Sequence, residues 1–177
     1  MDATEYWNQP VFFSVRTLST GNRGNTVNLV SRSKNPAHGI SEYTYLGRTY
    51  YEEDVVRLAR IAWFEQGICG KDMTQLAAAV LINRSHWTAF ASTYMDAFYQ
   101  GTQYAQVTRN RYESSEEIPD EAYEWIRELL SGESKYGEVP TNVVFQAQFP
   151  QGIATYDTGV NTYICYADVS RLGEYIP

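Results

Sequence analysis

Apolar and polar positions follow two different periods along this chain. Over residues 52–67, Val55, Leu58, Ala59, Ala62 and Glu65 recur at helical spacing on one stripe. Acidic residues open the run and arginines follow, so the pattern predicts a helix with Gly67 as its stop. A second helix is predicted over 73–84, with Asp72 as its cap and Gln75 as capping-box partner. Its centre, Leu76-Ala77-Ala78-Ala79-Val80-Leu81-Ile82, is apolar nearly all round, which predicts burial in the middle of the domain. Shorter helices are predicted over 92–99, ended by Gly101, and over 119–130, closed by Gly132. Beyond Pro140 the period falls to two. Residues 142–149 read as a strand, and 153–156 with 160–166 as a hairpin around Asp157-Thr158-Gly159.

Helices followed by strands predict an α+β domain, with a mainly helical core and a small C-terminal antiparallel β-sheet. That domain covers 49–177. Residues 1–48 differ, because Gly, Asn, Ser, Thr and Arg dominate 19–41, with Pro36 and Gly39 as breakers. They read as an extended arm with short strands.

Composition narrows the function classes. A chain of 177 residues with 44% hydrophobic and 20% charged residues fits one soluble globular domain. A formal net charge of −7 and the lack of a Lys/Arg cluster argue against a nucleic-acid partner and against docking on anionic lipid. No apolar run is long enough to span a bilayer, so no membrane insertion is expected. Residues 1–10 lack the basic and apolar regions of a secretory signal, which leaves the compartment open. Cys69 and Cys165 are expected to be core thiols, with one disulfide between them as the alternative. His38 and His86 stand outside any ligand spacing, so neither a metal nor another cofactor is expected. No phosphate loop, dinucleotide fingerprint or nucleophile elbow is present.

Carboxylates remain as the candidate chemistry. Most of the 21 acidic residues fall in first turns of helices or in loops, where solvated charges belong. Glu65 falls near the C-terminal end of its helix, on the apolar stripe, with Trp63 and Phe64 adjacent. Apolar neighbours and the negative helix end both disfavour its charged form. A neutral carboxyl in that position can donate a proton to a leaving glycosidic oxygen.

The residues around Glu65 carry a resemblance. Ile61-Ala62-Trp63-Phe64-Glu65-Gln66-Gly67, followed by Asp72 and by Ala77-Ala78-Ala79-Val80-Leu81-Ile82-Asn83-Arg84, resembles the spore cortex-lytic and cell-wall hydrolase family (the SleB/CwlJ type). Three later segments fit in the same order: Gly101-Thr102-Gln103-Tyr104, Asn142-Val143-Val144-Phe145 with Phe149-Pro150, and Gly159-Val160-Asn161-Thr162-Tyr163. The resemblance spans roughly residues 53–166. It departs from the family at Gly67-Ile68 and Cys69, where an Arg-Gly and a second Glu are usual, and at Thr162, where a His is usual.

The resemblance implies a lysozyme-like fold with one essential Glu, matching Glu65, and peptidoglycan glycan strands as substrate. It implies cleavage between N-acetylmuramic acid and N-acetylglucosamine, as a lytic transglycosylase or muramidase, and favours a cell-wall or spore-cortex location. Gln103 and Tyr104 are then expected to line the glycan cleft, the ring stacking on a sugar. Phe145 and Gln146 would belong to its wall, although Phe145 cannot share a strand face with Gln146 or Gln148. Asn161 and Tyr163 would point the same way on the last strand, toward Glu65. Asn83-Arg84 reads as structural, with Arg84 bonding carbonyls or a carboxylate. The alternative is a lysozyme-like domain that binds glycan or protein without cutting, in a cell-surface or phage assembly.

Overall fold

The computed structural model describes residues 41–101, 103–136, 139–160 and 162–177. Residues 1–40, which make up most of the expected arm, lie outside that range, as does His38. Among the described residues there are five helices and two small antiparallel sheets, an α+β arrangement.

Residues 42–48, expected in the arm, instead form part of a hairpin. β1 (Glu42–Tyr45) pairs with β2 (Arg48–Tyr51). Tyr45 and Tyr50 plant their rings in the core, so the hairpin is part of the domain. Leu46 and Gly47 turn the chain, both with positive φ, 50° and 84°. That is the backbone a two-residue hairpin requires, and it normally favours Asn-Gly.

Helix α1 (Glu52–Gln66) follows at once. Asp54 accepts from the Tyr51 backbone N–H at 2.8 Å and so closes its first turn. Val55, Leu58, Ala59 and Ala62 are buried, as the stripe predicts. Gly67 ends α1 in ordinary right-handed geometry, φ −59°, so it is not a left-handed stop. Its smallness matters for another reason. A Cβ there would stand 2.4 Å from the Trp63 ring, which lies over the chain at this point.

A 3₁₀ turn (Gly67–Cys69) leads into α2 (Lys71–Ser85). The expected capping box is absent. Asp72 pairs with Lys135, and the buried Gln75 donates to the Trp125 carbonyl at 2.8 Å and accepts from Ser134 Oγ at 2.8 Å. Gln75 therefore ties α2 to α5 and to the loop behind it. Every residue from Met73 to Ser85 is buried, in accord with the apolar centre and its three small alanines.

α3 (Tyr94–Tyr99) is capped by Thr93, whose hydroxyl accepts from the Asp96 N–H at 3.0 Å. α4 (Gln106–Glu113) has no counterpart in the sequence pattern. α5 (Asp120–Leu130) buries Ala122, Ile126, Leu129 and Leu130 against α1 and α2.

Three strands close the fold: β3 (Val143–Ala147), β4 (Ala154–Asp157) and β5 (Tyr163–Tyr166). The last of them is central, giving the order β3-β5-β4, all antiparallel. β3 carries a bulge between Val143, opposite Tyr166, and Phe145, opposite Cys165, with Val144 as the extra residue. One sheet face meets the main core through Val143, Ile164 and Tyr166. A second, smaller cluster gathers Trp87, Val144, Ala167 and Leu172, with Phe90 and Phe145 against it. Cys69 and Cys165 are free thiols, with no bond between them.

Candidate active site

Glu65 occupies the last turn of α1, half-buried, in line with the buried Leu58 and Ala62. Its two carboxylate oxygens are held by different elements. Thr108 Oγ1, on α4, donates to Oε2 at 2.9 Å. Gln146 Nε2, on β3, donates to Oε1 at 3.3 Å. Trp63 and Phe64, the apolar residues adjacent to it in sequence, make their contacts elsewhere. Successive helical residues point about 100° apart, so Trp63 and Phe64 leave toward other sides. Trp63 meets Trp125 at 6.0 Å between centroids. The Phe64 ring lies under the guanidinium groups of Arg60 and Arg111, at 5.1 and 4.6 Å.

α1 also fixes the element that supplies Thr108. Arg60 donates to the carbonyls of Arg111, Tyr112, Ser114 and Glu116, at 2.7–3.3 Å. The carbonyls at the end of a helix lack intrahelical partners, and a guanidinium can satisfy several of them at once. One helix thus carries the carboxyl and, five residues earlier, the anchor for α4.

Tyr104 is buried beside the same group. Its ring packs on Phe98, with centroids 5.1 Å apart, and the Arg84 guanidinium sits 5.0 Å from its centroid. Burial, opposed by the Arg84 charge and assisted by the Glu65 charge, pushes the Tyr104 phenol up to about 12. A ring 4% exposed offers no open face to a sugar, so the expected stacking role is not supported by its position. Gln103, its neighbour, is exposed.

The other expected residues divide by strand face. Gln146 lies opposite Ile164, on the face turned to the main core, and reaches Glu65. Tyr163 stands next to Ile164 on β5 and therefore points to the opposite face, away from Glu65. Phe145 also takes that opposite side, edge-on to Phe90 at 6.1 Å. Asn161 lies outside the described residues. Thr108 is the participant that sequence reasoning missed. It sits on a short helix reading Gln-Val-Thr-Arg-Asn-Arg-Tyr-Glu, in which it alone is buried, so no apolar stripe announces it.

No group of three or more His, Cys, Asp or Glu side chains suited to a metal ion occurs among the described residues. His86 is enclosed elsewhere, its Nδ1–H donating to the Ile176 carbonyl at 2.8 Å and its ring stacked on Tyr175. Burial first, and the Arg48 charge with it, lowers the His86 pKa, against the upward pull of the bond to Ile176.

No family model, curated protein or solved structure matches the chain.

Proposed function

We propose that the chain cleaves peptidoglycan glycan strands between N-acetylmuramic acid and N-acetylglucosamine, as a lysozyme-like lytic transglycosylase with Glu65 as its catalytic carboxyl. The observation that carries this reading is the grip on Glu65, one neutral side chain at each oxygen. A hydroxyl can rotate and a carboxamide can turn over, so Thr108 and Gln146 can each donate to a carboxylate or accept from a carboxyl. An acid that becomes a base must pass through both states.

In the first step the Glu65 O–H gives its proton to the bridging oxygen as the bond from muramic C1 breaks. The resulting carboxylate then takes the proton of the muramic 6-hydroxyl as that oxygen closes on C1. The 1,6-anhydro ring forms and the carboxyl is restored. This route needs one carboxyl, whereas a double-displacement glycosidase needs two. Gln103, exposed beside the buried Tyr104, is accessible to a glycan strand. The α+β class with its helical core and the ordered sequence motifs support the reading.

Purified protein is expected to release soluble fragments from peptidoglycan with 1,6-anhydro ends by mass spectrometry, and Glu65→Gln to release none. Equal digestion by the Gln variant would sink the mechanism. Reducing muramic ends would make the enzyme a hydrolase.

A second reading, glycan binding without cleavage, draws on one further observation. Ile68, Val107 and Phe149 are 97%, 64% and 62% exposed, and each lies within three residues of Glu65, Thr108 or Gln146. Exposed apolar side chains suit the faces of sugar rings. Retention on insoluble wall material with no fragment released over a long incubation would favour it.

A further inference from the structure

In a regular strand, residues 144 and 146 share a face. Val143 packs in the main core and Val144 in the second cluster. An uninterrupted β3 would therefore aim Gln146 at the second cluster, away from α1. The extra residue at 144 reverses this phase. Phe145 joins Val144 beside the second cluster, and Gln146 returns to the core face opposite Ile164.

The end of α2 holds the carbonyls of this bulge. Asn83 Nδ2 donates to Pro140 O at 2.9 Å and to Val143 O at 3.0 Å. Arg84 Nε donates to Val144 O at 2.7 Å. Both side chains are buried. The guanidinium is enclosed by aromatic rings, 5.0 Å from the Tyr104 centroid and 5.9 Å from those of Phe90 and Phe145. A planar guanidinium stacks flat on rings while its Nε–H bonds in the plane, whereas an ammonium is a compact point charge with no flat face to stack.

We propose that Asn83 and Arg84 are positioning residues for Glu65: they clamp the Val143–Val144 bulge so that β3 delivers Gln146 to the carboxylate. They act through Gln146 and not on the substrate. The effect on turnover rests on the reading of Glu65 as the catalytic carboxyl, whereas the effect on Gln146 does not.

The test uses the full chain, with Arg84→Lys, Asn83→Ser, Gln146→Leu and the two corresponding double variants. The first readout is the side-chain amide resonance of Gln146, identified by its loss in Gln146→Leu. Releasing the clamp in Arg84→Lys is expected to move it in the same direction as Glu65→Gln does. The second is turnover of peptidoglycan. Arg84→Lys and Gln146→Leu are each expected to lower kcat about tenfold with KM little changed, and the double variant to fall no further than Gln146→Leu alone. An unmoved Gln146 resonance in a folded Arg84→Lys, or multiplying losses in the double, would overturn the proposal. Should Arg84→Lys not fold, Asn83→Ser carries the same comparison, since it keeps the buried charge and removes two donors. Parent protein that fails to cut peptidoglycan would remove the functional reading, and the amide resonance would still decide the clamp.

Discussion

The helices and the three-stranded sheet settle their orientation in different ways. α1 turns its buried face inward because Val55, Leu58, Ala59 and Ala62 recur at its own period. α2 needs no orientation of that kind, being buried on every side. β3 has a period of its own, but an extra residue breaks it, and side chains from α2 hold the break in place. Helix phase is local information here, and strand phase is tertiary. The candidate site needs both, since Glu65 comes from the first kind of element and Gln146 from the second.

Substitutions that strike one kind of element should therefore separate stability from site geometry. The largest effect is expected from Ile82→Ala, which empties a fully buried position in α2. A loss of about 2–5 kcal/mol is expected by denaturant unfolding. The Gln146 amide resonance should meanwhile stay in place; its displacement would show that the two layers are not separable. Gly67→Ala comes next, because the new methyl meets the Trp63 ring. It is expected to cost about 1–3 kcal/mol and to change the emission of the Trp63–Trp125 pair. Unchanged stability with altered fluorescence would mean that the ring moves aside freely, and no change in either would mean that the backbone yields instead.

Acid provides a milder probe of the region behind α2. The lowered pKa of His86 means that the folded state favours its neutral form. Its contribution is whole above the unfolded value of about 6.5 and is lost as pH falls from there to the folded value. The loss amounts to about 1.4 kcal/mol for each pH unit of depression. His86→Gln should flatten that part of the stability curve, and an unaltered slope would assign it to carboxylates instead. The smallest effect is expected from Lys135→Ala, which removes an exposed pair with Asp72 and should change stability by less than about 1 kcal/mol.

Legibility in the sequence follows the same division. The stripe on α1, the apolar run of α2 and the late strands are visible because burial acts on each at its own period. α4 is hidden because it is polar on nearly every face and held in place by Arg60 from another helix. The β1–β2 hairpin is hidden because Leu-Gly stands at the turn where Asn-Gly would have announced it. Glu65 was legible as a carboxyl in an unusual place. Its partners were only half so, since Gln146 faces it through a bulge that no alternation count foresees, and Thr108 lies on the hidden helix. Asp72 and Gln75 show the reverse error, a local motif overruled because tertiary partners compete for both side chains.

β5, last of the three strands in sequence, lies between the other two. Among the described residues β3 and β4 each pair with β5 and not with one another, so neither has a strand neighbour until residues 163–166 lie between them. Glu65 and Thr108 come from helices, whereas Gln146 comes from a strand whose one neighbour in the sheet is β5. A chain without β5 would keep the helical half of the site and leave β3 without its strand neighbour, so the grip on Glu65 depends on a strand that never touches the carboxylate itself.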